Sequence, residues 1–513
     1  MTGKYKLIVS ISYILINLSI SSCGSDQQSE NYEKTVGTSS DRQWTSPPPV
    51  LPSNQGQPQE DAKEWVAIDT SEESTSTFSI DVDTASYSLA RQAINNGRSP
   101  LVSKVRAEEF INYFSYDYPS PEGDDPFAVH TELGNSPMNP EKSYLKIGIK
   151  AKDIELQERP DSNLVFLVDV SGSMAATGKL DLIKTGLQLL AENLGERDRV
   201  AIVVYAGASG VALPSTPGTN ILDIMQAIED LSAGGSTNGY EGIKLAYNIA
   251  SENFIEGGVN RVILATDGDF NVGITSQEQL VSYVKERASS GIDLSILGVG
   301  MHNTSDATLE AITGEGNGQY AYLDTNSEAR KIFIEQLSGT LVTVAKDVKI
   351  QVVFNQDTVE SYRLIGYDNR KLANEDFADD KKDAGDIGAG HTVTAIYEVQ
   401  LKPEAVAGKI MDLSLRYKKP GDPESTLIEH PGGFIEDLAQ EPSADFKFST
   451  AVAAFALKLQ GTKELEPFSY QDIAQWAKEG MSADPYGYRA ECIELIEKMH
   501  SWQQASDSNQ PFF

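Results

Sequence analysis

The sequence predicts an α/β protein built on a doubly wound parallel sheet, flanked on both sides by alternating strands and closed by a helical segment. Three observations carry this. Between Asn163 and about Ala345, short apolar runs alternate with amphipathic stripes, the rhythm of strand–helix–strand units. On either side, segments such as Val393, Ala395 and Tyr397 place apolar residues at every second position, as half-buried strands do. From Ala444 to His500 the apolar spacing changes to three and four.

The first residues differ from all that follow. Lys4 and Lys6 precede an apolar run from Leu7 to Ile20, too short for the roughly 20 residues a helix needs to span a bilayer. The run ends in Ile20-Ser21-Ser22-Cys23. This resembles the lipobox of bacterial lipoproteins, which implies that residues 1–22 are a signal peptide and that Cys23 becomes a lipidated N-terminus. The resemblance places the mature chain on a membrane of the bacterial cell envelope, facing the periplasm or the cell surface. Residues 23–61 are rich in Ser, Gln, Asn and Pro without an apolar period, and read as a disordered tether.

Residues 62–157 read as an N-terminal α+β module, with strands at Phe127–Leu133 and Ser143–Ala151. Residues 158–345 form the doubly wound domain. Leu164-Val165-Phe166-Leu167-Val168 has the continuous apolar character of a strand covered on both faces. Leu180, Ile183, Leu187, Leu190 and Leu194 then mark one helix stripe. Strands follow at Val200–Tyr205, Arg261–Thr266, Leu294–Val299 and Gln319–Leu323. Helices are expected at Ile221–Leu231, Gly242–Phe254, Ser276–Ser290 and Glu328–Val344. Residues 346–513 supply further strands at Asp347–Phe354, Thr392–Leu401 and Ile410–Tyr417, then the helices. Neither flank alone has enough strands for a stable sheet. Together they make one β-sandwich into which the central domain is inserted, with the helices covering an edge.

Composition narrows the function. Lys and Arg number 42 against 75 Asp and Glu, a net charge of −33 that excludes nucleic acid as the main partner. Two cysteines build no disulfide scaffold, and Cys492 sits on an apolar helix stripe as a buried thiol. The five histidines are scattered, and no nucleophile elbow, phosphate loop or His-Glu-x-x-His occurs. Asp81-Val82-Asp83 reads as an alternating strand with a solvated acidic face, and Glu375–Asp386 as an exposed loop.

Ligands of doubly wound sheets bind beyond the carboxyl ends of the strands. There the first strand ends in Asp169-Val170-Ser171-Gly172-Ser173, which turns three oxygens toward one point. Gly234-Gly235-Ser236-Thr237-Asn238-Gly239 offers a hydroxyl at a helix start, and Arg261–Thr266 ends in Asp267-Gly268. Two carboxylates and three hydroxyls form a hard, all-oxygen site that suits Mg²⁺ best, with Mn²⁺ or Ca²⁺ also fitting.

These residues resemble a von Willebrand factor type A (VWA) domain, a Rossmann-like fold with a metal-ion-dependent adhesion site. The resemblance assigns Asp169, Ser171, Ser173, Thr237 and Asp267 as the metal ligands. Thr77–Tyr87, Arg106–Pro119 and Thr266–Gly273 are similar to one bacterial family of such lipoproteins, with its own N-terminal module and a C-terminal domain of unknown function. It implies a non-catalytic adhesion or scaffolding protein whose metal captures a protein ligand through an Asp or Glu. Two other readings are a metal-dependent hydrolase and, from a label that the similar family carries by analogy, a regulator of a membrane channel or transport complex. The first lacks a general base tied to the motif loops.

Overall fold

A computed structural model describes residues 66–508 apart from 138, 140, 155–157, 177, 208, 236–238, 269–276, 301–305, 337–341 and 431. Residues 1–61, read above as a signal peptide and tether with Cys23 among them, and Thr237 therefore lie outside the described residues.

The N-terminal segment supplies β1 (Ile68–Asp69), β2 (Thr75–Ser79), α1 (Ala85–Asn95), α2 (Ala107–Asn112), β3 (Phe127–Asn135) and β4 (Ser143–Ala151). The central segment begins with β5 (Ser162–Asp169), α3 (Leu180–Ala191), β6 (Arg199–Tyr205), β7 (Ser209–Pro217) and α4 (Ile221–Glu229). It continues with α5 (Gly239–Glu252), β8 (Val259–Thr266), α6 (Gln277–Ser289), β9 (Asp293–Val299), α7 (Asp306–Glu315), β10 (Tyr320–Leu323) and α8 (Asn326–Arg330). Then come β11 (Thr343–Phe354), β12 (Val359–Leu364), β13 (Gly385–Gly388), β14 (Thr392–Leu401), β15 (Met411–Lys418) and β16 (Thr426–His430). Three helices end the described chain: α9 (Ala444–Leu459), α10 (Tyr470–Glu479) and α11 (Tyr488–Ser508).

The central sheet runs β10-β9-β8-β5-β6-β7. Every residue of β5 is buried, because β6 and β8 pair with its edges and helices cover both faces. One face packs Leu164, Phe166 and Val168 against the α3 stripe of Leu180, Ile183, Leu187 and Leu190. The other packs Val165 and Leu167 against Ile243, Ala246 and Tyr247 of α5. The sheet is not wholly parallel: β7 pairs antiparallel to β6. Only Leu213 and Thr216 of β7 are buried, so the apolar run that marks an interior strand is missing from this edge. The helix expected at Glu328–Val344 is also shorter. α8 continues into a wide π turn at Lys331–Glu335, and Thr343 and Val344 already belong to β11.

Strands from the two flanks interleave in two antiparallel sheets. One runs β1-β12-β14-β4-β3; in the other β11 takes β15 on one side and both β13 and β2 on the other. Between them lies an apolar core including Ile147, Ile149, Ile350, Val352, Tyr397 and Leu413. The central domain is thus inserted into a sandwich made jointly by both flanks. One turn holds both crossing points. Ala389 N–H donates to Val342 O (2.8 Å) where the chain re-enters, Gly390 N–H to Lys152 O (2.9 Å) where it leaves, and Ala151 N–H to His391 O (2.9 Å).

The C-terminal helices cover a face of the sandwich rather than an edge. Ile396 on the outer side of β14 and Tyr144 on β4 join one core with α1, α2, α9, α10 and α11. The helical layer lies so close that a Cβ at Gly134 would come within 2.6 Å of the Phe446 ring. Cys492 is fully buried there, and burial pushes its thiol up to about 12.

Asp81 and Asp83 do not form a solvated strand. Both are buried, and Arg370 pairs with each at 3.1 and 3.0 Å. Asp83 also accepts the backbone N–H of Tyr320 at 2.8 Å, joining the N-terminal segment to β10. Nor is Glu375–Asp386 a plain exposed loop: it begins within a turn at Asn374–Ala378, ends on the first two residues of β13, and half-buries Asp386.

The densest polar contact sits where α1 lies along β10. Arg91 is 1% exposed. Its guanidinium holds Asp324 through both carboxylate oxygens, Glu328 at 2.7 Å, Tyr113 Oη at 2.7 Å and Glu491 at 3.0 Å. Beside it Lys331 lies 3.0 Å from the Tyr113 ring centroid, and burial holds its amine down at about 7. Replacing Arg91 by Met strands Asp324 in a dry site. Urea unfolding should show a loss of about 3–5 kcal/mol, the usual penalty for removing one partner of a buried ion pair.

Glu108, on α2, is pushed up to about 8 by burial and then by the charge of Asp81. Between its ordinary value of 4.5 and 8 the folded chain holds a proton that the unfolded chain has lost, so this carboxyl's contribution falls as pH rises. Glu108→Gln should flatten the stability profile between pH 5 and 8 by up to about 1.4 kcal/mol per pH unit, read from melting curves.

Candidate metal centre

β5 and β8 are parallel neighbours paired through Val168 and Ala265, so Asp169 and Asp267 emerge side by side at their carboxyl ends. Adjacent strands are about 4.8 Å apart, which sets the spacing of the two carboxylates. Asp169 Oδ1 accepts the Ser171 backbone N–H at 2.8 Å, a local turn that an Asp at a strand end forms readily. The chain then winds into a short turn at Gly172–Ala175. Ser171 is buried, Ser173 is exposed, and their hydroxyls lie 3.0 Å apart.

A second loop is clasped to the first by two backbone hydrogen bonds. Gly172 N–H donates to Gly235 O at 3.0 Å, and Gly234 N–H donates to Val170 O at 2.7 Å. Gly235 has φ +96°, a conformation side chains avoid, and its missing Cβ would press on Ala206. This holds Gly234 and Gly235 to the Asp169 loop. Asp169, Ser171, Ser173 and Asp267 are therefore brought together among the described residues.

The electrostatics are those of a site built around positive charge. Asp169 is 0% and Asp267 6% exposed. Asp169 Oδ2 and Asp267 Oδ1 are buried with no hydrogen-bond partner among the described residues. Burial raises the Asp169 carboxyl above its usual range, the Ser171 N–H opposes this, and the Asp267 charge adds to the rise. Two buried carboxylates with orphaned oxygens are costly unless a cation compensates them. Hard oxygen donors of this kind fit Mg²⁺, Mn²⁺ or Ca²⁺. Among the described residues no group of three or more His, Cys, Asp or Glu has metal-binding geometry; here the two carboxylates are joined instead by hydroxyls.

Two neighbours escaped the sequence reading. Tyr205, at the end of β6, places its buried phenol beside Asp169 and Thr266. Lys179 reaches across to Asp267 Oδ2 at 2.8 Å. The only signal for it was a lone base between the Asp169 motif and the α3 stripe.

Residues 163–339 match the family model of the von Willebrand factor type A domain. Residues 339–502 match a model described as the C-terminal part of uncharacterized protein YfbK, and 55–146 one described as von Willebrand factor. The uncharacterized protein YfbK of Escherichia coli (strain K12) is 44% identical over 446 residues, covering 82% of this chain and 77% of that one. The chain belongs to the YfbK family of bacterial VWA proteins. Human inter-alpha-trypsin inhibitor heavy chain H3 is 26% identical over 258 residues, covering 47% of this chain and 28% of that one. Among solved structures, a von Willebrand factor type A protein from Catenulispora acidiphila aligns over 67% of this chain and 80% of its own, with 15% identity and a TM-score of 0.41. Like other VWA proteins, a YfbK-family member carries a domain suited to adhesion or protein interaction.

In EDTA, Asp169→Asn should melt above the wild type, because it removes one of two like charges facing each other. The gain should be at most about 1 kcal/mol, because the Lys179 ammonium 2.8 Å from Asp267 already offsets most of its charge. Calorimetry checks this.

Proposed function

We propose that this protein is a lipid-anchored adhesion or scaffolding protein of the bacterial cell envelope that binds a divalent cation and captures a protein ligand through that ligand's Asp or Glu. The cation is Mg²⁺, with Mn²⁺ or Ca²⁺ as substitutes. The observation that carries this reading is the pair of buried carboxylate oxygens, Asp169 Oδ2 and Asp267 Oδ1, left without partners at adjacent strand ends.

Within residues 158–345, Asp169 and Asp267 supply the negative charge and Ser171 and Ser173 neutral hydroxyls, with Thr237 as the fifth ligand. A bound divalent cation supplies a Lewis-acidic coordination position that a carboxylate can fill. The chain's own part is positional. The Gly234–Gly235 clasp fixes the two loops, and the Ser171 N–H orients Asp169 before any cation arrives. Exposed Ser173 marks the side from which a ligand approaches. The role is non-catalytic.

The sheet has its own apolar cores, so the cation is not needed for folding. At 100 times its dissociation constant, Mg²⁺ should stabilise the wild type by roughly 2.7 kcal/mol. Asp169→Ala should fold and lose that gain entirely. Melting curves indifferent to Mg²⁺, Mn²⁺ and Ca²⁺ at millimolar levels would refute the metal site.

Anchoring rests on the Cys23 lipobox. Cells fed labelled palmitate should label the wild-type chain and not Cys23→Ser. Among the described residues no helix is long and apolar enough to cross a membrane.

A further inference from the structure

We propose that Lys179 sets the charge of this site, loosening its hold on the cation and strengthening its hold on an incoming carboxylate; the proposal rests on the metal-site reading above. Lys179 Nζ lies 2.8 Å from Asp267 Oδ2, with the lysine side chain 15% and the Asp267 side chain 2% exposed. It takes the oxygen that the site does not need. Asp267 Oδ1 stays buried and unpartnered, as does Asp169 Oδ2. The lysine thus neutralises Asp267 through Oδ2 and leaves Oδ1 free to meet a cation.

The fold keeps a path open for this side chain. Lys179 immediately precedes α3, and its stem crosses the end of β9 at Gly300. A Cβ at Gly300 would lie 2.3 Å from Lys179 Cε and 2.7 Å from its Cγ. The missing side chain there is what lets the ammonium reach the neighbouring strand end.

The charge arithmetic gives the consequence. Two carboxylates and one ammonium sum to −1, a divalent cation brings the site to +1, and a ligand carboxylate brings it to 0. Without the lysine the same steps run −2, 0 and −1. Lys179 therefore weakens the first step and favours the second, so that capture of an acidic side chain ends in a neutral site. Sequestered charges a few ångströms apart feel such differences strongly.

The test is a titration of the full chain with Mn²⁺, with and without acetate as the carboxylate probe, comparing wild type, Lys179→Met and Lys179→Arg. Calorimetry reads Mn²⁺ affinity, and water-proton relaxation reads the loss of Mn²⁺-bound water when acetate binds. Lys179→Met should bind Mn²⁺ roughly tenfold tighter, and its loaded site should take acetate roughly tenfold more weakly. Lys179→Arg, which keeps the charge, should stay near the wild type in both. A purely structural lysine would give the opposite first result, since losing it would misplace Asp267 and weaken Mn²⁺ binding. If the wild type binds Mn²⁺ but Lys179→Met binds it no tighter, the proposal falls and the metal site stands. If the wild type binds no Mn²⁺, both fall.

Discussion

The Arg91 guanidinium is the contact on which the arrangement of the three segments depends. It is donated by the N-terminal helix α1 and received by Asp324 at the end of β10, Glu328 on α8 and Glu491 on α11. A planar fork with five donors is the one side chain able to satisfy acceptors from three directions at once. Asp324 and Glu328, both buried, would each be strongly destabilising there without it. The insertion of one domain into another is often held only by its two linkers. Here the inserted domain is also gripped along its β10 edge, so its orientation to the sandwich is fixed by charge pairing as well as by the chain crossings. The Asp83 carboxylate on the Tyr320 backbone and the stacking of Tyr87 on Tyr113 extend the same seam.

Charge burial recurs throughout the chain, and its use differs by place. At the seam each carboxylate of the Arg91 cluster meets the guanidinium through at least one oxygen, with Glu328 Oε1 left without a partner. At the strand ends of the central sheet Asp169 Oδ2 and Asp267 Oδ1 find none, and these two face a neighbouring carboxylate in place of a guanidinium.

How much of this was legible depended on the range of the contact that decides each feature. β5, α3 and the Asp169 loop were readable because burial and spacing are written locally, in consecutive apolar residues and an alternating Asp and Ser pattern. β7 was not, since an edge strand needs no apolar run. The burial of Asp81 and Asp83 depends on Arg370, almost 300 residues away in sequence, and nothing local distinguishes them from a solvated pair. The sharing of sheets by the flanks could be inferred only from each flank having too few strands. That β2 pairs with β11, and β4 with β14, needed the fold itself. In the site, Asp169, Ser171, Ser173 and Asp267 were named from their motifs, whereas Lys179 was invisible because its partner lies across the sheet.

The turn from Gly388 to His391 has a mechanical meaning. On the proposed reading, a tug on a ligand at the Asp169 end would reach the sandwich at the two places where the chain crosses into it, beside Lys152 and beside Val342. Both paths arrive at one turn, whose backbone bonds to Lys152 and Val342 take up the load together. From there it spreads into β4 and β14, which lie side by side over eight residue pairs. Such a load would be shared across a ladder instead of peeling one strand away, which is what the paired β4 and β14 offer the proposed function.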